Sequence, residues 1–449
     1  MIRLEKAVIW VIAAVALGAI VAWPWYVHGS VVAARAAALP SPAPVNADYL
    51  ERDTTIAFWE KAVREHHRGD MLSPSTLSAL YLQRFRERGD IGDVSRAGHE
   101  AEASLRAQPY GNASAEVALG SALFALHRFK EALAVTRHIE TYDPNDAAMQ
   151  IREASVDLEL GRYGQAKVIV DDLSRRSRTA ANADETVPAD TLIVRYDELT
   201  GHLARARERF ERVTAYGNAQ FDAPAQQRAW FYFRDGELAF EAGDNDAAIA
   251  DERRALAVFP NYSEANRMLA RVDCALHRWQ DCLDAAKASA AVIPYPEVLG
   301  YEVDAQRALG NASAAAQTDD LIQTVERIGN AQHISDRLLA IYYSEHGEHL
   351  DDAYAIAQRE LNVRDDIFTE DTLAWAAAMD GRWNEARIRS TKALRYDTEN
   401  SLLQYHAGVI ALHFGDRVVA KDRLAGALAL NPQFHPFYAD DARAKLSAL

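Results

Sequence analysis

The densest set of side chains able to hold a metal ion is SEHGEHLDD, which carries Glu345, His346, Glu348, His349, Asp351 and Asp352. Imidazole and carboxylate together suit divalent ions. The helical HExxH arrangement is absent, however, and Gly347 places these groups on a turn between helices, so the stretch reads as a solvated polar turn. His66-His67, in REHHRGD, reads likewise as the polar end of a helix. The two cysteines are Cys274 and Cys282. They admit a disulfide in an oxidising compartment, or two small buried thiols filling a helix interface. No glycine-rich phosphate loop, nucleophile elbow or paired CxxC occurs. Carboxylate pairs mean little in a chain with 65 acidic residues. The residues therefore supply no catalytic centre, no metal site and no cofactor, and the expected protein is not an enzyme.

The elements that would position these groups show a repeat. The windows DTLAWAAAMDGRWNEARIRSTKAL, from Asp371, and YHAGVIALHFGDRVVAKDRLAGALALNP, from Tyr405, align without a gap. Gly381 and Gly415 stand 34 apart, as do Ala386 and Ala420, Ala393 and Ala427, and Leu394 and Leu428. The same offsets return in FRDGELAFEAGDNDAAIADERRALAVFP, from Phe233, through Gly243, Ala248, Ala255 and Pro260. Turn positions fall at Gly89, His127, Gly161, Gly201, Gly243, His277, Gly310, Gly347, Gly381 and Gly415. Small residues let two helix axes approach, glycine ends the first helix of each unit, and proline stops the second.

This pattern resembles the tetratricopeptide repeat, a helical hairpin of about 34 residues. The resemblance implies an all-α, right-handed superhelical solenoid of about nine to ten hairpins. The expected organisation is an N-terminal membrane segment over 1–29, an Ala/Pro/Ser-rich linker over 30–47 and a capping helix over 48–74. The solenoid then spans 75–434, and a closing helix covers 435–449. Cys274 and Cys282 fall opposite each other across one such hairpin.

In this family the first helices line a concave groove that receives protein or peptide partners. Mapped by register, the groove candidates are Trp230, Phe233, Glu237, Phe240, Arg267 and Arg271 in the middle units. Asp371, Trp375, Tyr405 and His413 are the candidates in the C-terminal units. Aromatics beside charges are the residue types that dominate interface energetics. The resemblance thus implies a non-catalytic scaffold or adaptor that holds an extended or helical segment. The alternatives are an enzyme or metal-binding protein built on the HGEH turn or on groove carboxylates, and a spacer that binds through its end repeats.

The first residues set the expected location. Ala7 to Trp23 carry no charge, and Trp23-Pro24-Trp25-Tyr26 follow as an interfacial aromatic cluster. That composition reads as an uncleaved single-pass anchor in a bacterial inner membrane, with the remainder exported. If the segment is instead a cleaved signal peptide, the protein is secreted. With 49 basic and 65 acidic residues the formal charge is −16. Nucleic acid is excluded as a partner by that balance, and basic or neutral protein surfaces are favoured.

Overall fold

The computed structural model describes residues 48–65, 69–179, 186–220, 223–331 and 337–449. The expected membrane segment and linker, within 1–47, and His66-His67 lie outside the described residues. A 3₁₀ turn over Asp48–Glu51 leads into α1 (Arg52–Glu65). Ten hairpins follow. The first five are α2 (Leu72–Arg88) with α3 (Ile91–Ala107), α4 (Ala113–Ala125) with α5 (Phe129–Glu140), α6 (Ala147–Glu159) with α7 (Tyr163–Thr179), α8 (Val187–Leu199) with α9 (Leu203–Ala219), and α10 (Ala225–Glu241) with α11 (Asn245–Val258). The second five are α12 (Ser263–Ala275) with α13 (Trp279–Ala290), α14 (Pro296–Ala308) with α15 (Ala312–Ala331), α16 (Arg337–His346) with α17 (Leu350–Val363), α18 (Ile367–Met379) with α19 (Trp383–Ala393), and α20 (Ser401–His413) with α21 (Arg417–Leu430). Helix α22 (Tyr438–Ser447) closes the chain. No described helix is long and apolar enough to cross a membrane.

Each hairpin bends at one of the ten turn positions, and all ten have a left-handed backbone, with φ between 57° and 80°. Glycine takes that conformation at little cost. At two turns the residue is histidine, and each stacks on the aromatic ring two residues later. His127 lies 5.4 Å from Phe129, and His277 lies 5.1 Å from Trp279. The stacking offsets part of the conformational cost that a Cβ brings there. Asp146, Asp244, Asp366, Asn400 and Asp416 accept backbone N–H bonds at the starts of their helices, which satisfies donors that no helical carbonyl can reach. Within the hairpins Ala248, Ala386 and Ala420 are fully buried, and larger side chains would force the helix axes apart. Cys274 and Cys282 are joined by a disulfide that ties α12 to α13.

Repeat arrays bury each unit on its neighbours alone. Here the superhelix also closes on itself. The turn of unit three meets the end of unit eight: Arg364 bonds Glu159 at 3.0 Å, and the Ile367 N–H donates to the Tyr163 hydroxyl at 3.1 Å. Unit four meets the end of unit nine, where Thr398 Oγ1 donates to the Leu199 carbonyl at 2.7 Å. Unit five meets the end of unit ten, where Asn431 Nδ2 donates to the Phe240 carbonyl at 2.7 Å. Unit six reaches the closing segment through His277 Nε2 and the Pro436 carbonyl, 2.7 Å apart. One superhelical turn thus takes about five units, and successive turns stack along a seam. The period of the sequence carries no trace of that seam.

Candidate functional site

The first helices of units three to ten face inward and line a cavity of about 280 Å³. Its wall is built from ion pairs laid between neighbouring inner helices. Arg267 of α12 bonds Glu264 at 2.8 Å, Glu297 of α14 at 3.2 Å and Glu237 of α10 at 3.3 Å. Arg234 bonds Glu198 at 2.9 Å and also Glu237. Arg271 bonds Glu241 at 2.9 Å. Burial opposes the charge of Arg267, and its carboxylate neighbours overcome that and hold its pKa well above the ordinary value. Burial likewise raises Glu241 and Glu264, against the pull of the arginines beside them. Charges buried this way are tolerated because each guanidinium meets carboxylates in hydrogen-bonding geometry.

The opposite side of the cavity has a different composition. His406 Nδ1 donates to Asp371 Oδ2 at 2.9 Å, and its ring stacks on Trp375 at 4.2 Å. His435 Nδ1 accepts the N–H groups of Phe437 and Tyr438, so its proton is on Nε2, 3.4 Å from Glu345. Arg337 of α16 lies over the Phe368 ring at 5.7 Å. Its pKa is lowered, by burial first and then by repulsion from Arg364.

Of the groove candidates, Trp230, Phe233, Glu237, Arg267, Arg271, Asp371 and Trp375 line this cavity. Three others do not. Phe240 lies under the Arg271 guanidinium at 4.7 Å. Tyr405 stacks on Tyr438 at 4.6 Å and donates to Asp441 at 2.6 Å. His413 stacks on Trp383 at 3.8 Å, on the outside. The inner faces that the repeat assigns to a concave groove here line one cavity shared by eight successive units, brought together as the superhelix closes on itself. Register reasoning missed Arg337 and His406. Arg337 was within reach of it, since it stands 34 residues before Asp371 in the equivalent position of the preceding unit.

The HGEH turn is also rearranged relative to expectation. His346 is mostly covered rather than solvated, with 9% of its side chain exposed. Its Nε2 lies 2.9 Å from Asp304 of α14, and its Nδ1 lies 2.8 Å from the Tyr342 carbonyl. Both ring nitrogens meet acceptors, which fixes an imidazolium. Burial opposes that charge, yet the Asp304 bond pushes the pKa up to about 9. His349 stays on the surface near Asp352. Among the described residues no three His, Cys, Asp or Glu side chains converge as metal ligands would.

No protein-family pattern and no curated protein sequence matches the chain. Solved structures match it at low identity and at TM-scores below 0.5. The APC/C hetero-tetramer Cut9–Hcn1 matches over 89% of this chain and 94% of that one, at 11% identity and a TM-score of 0.32. Yeast Tom70 matches over 89% and 94%, at 14% identity and 0.34. PilW, a widely conserved type IV pilus biogenesis factor, matches over 49% of this chain and 98% of its own, at 16% identity and 0.37. The chain is an all-α array of sequential hairpins, and its own turns and helix pairs define that class.

Proposed function

We propose that this protein is a non-catalytic scaffold or adaptor that holds protein partners, tethered to a bacterial envelope membrane by the segment within 1–29 and acting in assembly of an envelope complex. The observation that carries the reading is where apolar surface is left over. Among the described residues seven large apolar side chains are more than half exposed: Leu50, Phe58, Leu72, Tyr110, Val168, Ile388 and Val418. Four of the seven precede α4: Leu50 on the 3₁₀ turn, Phe58 on α1, Leu72 at the start of α2 and Tyr110 in the loop after α3. The inner wall, by contrast, commits most of its guanidiniums to carboxylates of neighbouring inner helices. Partner contact through the end units, rather than through an open groove, follows from that contrast. The acidic surface favours a basic or neutral partner.

Cross-linking in intact membranes tests this. Cross-links are expected to concentrate before residue 113, and Phe58→Ser combined with Tyr110→Ser is expected to abolish them while leaving the fold intact. Cross-links confined to the middle units, or unchanged in the double variant, would overturn the assignment. A reporter fused after Leu449 tests the topology, since an exported reporter is required by the tethered reading.

A further inference from the structure

The cavity wall contains more acid than base. Eight carboxylates line it, on Glu159, Glu198, Glu237, Glu241, Glu264, Glu297, Glu345 and Asp371, against five guanidiniums, on Arg195, Arg234, Arg267, Arg271 and Arg337. The formal wall charge is therefore 5 − 8 = −3. The two histidines in the wall do not cancel it. His435 uses Nδ1 as an acceptor for two backbone N–H groups, so it holds a single proton. His406 donates from Nδ1, while its buried Nε2 has no hydrogen-bond partner. A second proton there would be an unsatisfied charge-bearing donor, which is costly inside a protein.

The deficit is not spread evenly. Four of the five guanidiniums belong to α8, α10 and α12, while Glu297, Glu345 and Asp371 come from α14, α16 and α18. Asp371 Oδ1 is buried there without a hydrogen-bond partner. Aromatic rings of Tyr301, Trp375 and Phe434 line the same cavity. Carboxylates next to aromatic faces are the surroundings that hold an ammonium or guanidinium group. The volume is near the lower end of the about 300–1,000 Å³ usual for small-molecule sites.

We propose that the cavity binds a small organic cation, an amine or a guanidinium compound, seated among Glu297, Glu345 and Asp371. This goes beyond the scaffold reading and does not depend on it, because its ligand is not a macromolecule. The test is calorimetric titration and thermal unfolding of the full-length chain with putrescine, spermidine, choline and L-arginine. Succinate and sodium chloride are the controls. At least one of the four cations is expected to bind and to raise the unfolding temperature with the logarithm of its concentration above the dissociation constant. Glu345→Gln and Asp371→Asn are each expected to weaken that ligand about tenfold or more. Glu131→Gln, on the outer surface, is expected to leave it unchanged. Circular dichroism of each variant, with Glu297→Gln as the substitute if one fails to fold, keeps the comparison interpretable. Absence of binding by all four cations at millimolar concentration would overturn the proposal. So would equal stabilisation by succinate or sodium chloride, or unchanged affinity in the folded variants.

Discussion

The turns of units three to five and those of units eight to ten share one backbone conformation but have different surroundings. Gly161, Gly201 and Gly243 are pressed against carbonyl groups of the next superhelical turn. A Cβ on Gly161 would fall onto the Asp365 carbonyl, and one on Gly201 or Gly243 would lie 2.7 Å from the oxygen of Asp397 or Leu430. At Gly347, Gly381 and Gly415 a Cβ would meet nothing within 4 Å. The same glycine thus answers one demand, a left-handed bend, in the later units and two demands in the earlier ones. Repeat arrays are held by nearest-neighbour interfaces. In this chain the seam adds contacts between residues about 200 positions apart, such as Arg364 with Glu159.

The largest effect is expected from breaking the seam at its buried charge. Arg364 bonds Glu159 and Glu360 and lies near Asp366 at 3.5 Å, with only 2% of its side chain exposed. Arg364→Met leaves three carboxylates without their guanidinium and is expected to cost about 3–5 kcal/mol. Urea unfolding is expected to split, with units eight to ten melting first. The exposed pair of Arg128 with Glu131 supplies the contrast, and Arg128→Met is expected to cost less than about 1 kcal/mol. A single cooperative transition in Arg364→Met would show that the seam contributes little.

Next come the turns. Gly161→Ala combines backbone strain with a clash and is expected to cost about 2–4 kcal/mol. Gly381→Ala carries the strain alone, about 1–2 kcal/mol. Equal losses in chemical denaturation would remove the distinction between the two sets of turns.

A contact between adjacent units, His346 with Asp304, is expected to report on pH. Its folded pKa of about 9 exceeds the ordinary 6.5, so its contribution is full below about pH 6.5 and is lost as pH rises through 9. His346→Asn is expected to cost about 2–3 kcal/mol near pH 6 and much less above pH 9.5. A pH-independent difference between the two proteins would contradict the imidazolium assignment.

The smallest effect is a gain. Glu252 of α11 is fully buried, and neither carboxylate oxygen has a partner. Burial raises its pKa well above 4.5, so ionisation withdraws stability as pH rises beyond that value. Glu252→Met is expected to stabilise the protein by about 1–2 kcal/mol at neutral pH. The gain should vanish near pH 4. A loss of stability at neutral pH would show that the carboxylate is satisfied.

The hairpins were legible because their signals are local. A turn glycine, an alanine that lets two helices touch and a proline that stops the second recur at fixed offsets, and each acts within one unit. His127 and His277 were marked as turns by register, and the ring beside each explains why histidine serves there. Register also placed seven of the ten groove candidates on the cavity wall. It could not show that Phe240 lies beneath Arg271 or that Tyr405 packs on Tyr438, since those depend on how neighbouring units rotate.

The sequence alone therefore determined where the chain bends and which helices those bends join. Only the tertiary structure decided the pitch of the superhelix. Pitch sums small rotations over many units and is set by side-chain packing between them, which a 34-residue period does not encode. That pitch brought unit three against unit eight, drew the inner helices of eight units around one cavity, and gathered eight carboxylates around five guanidiniums.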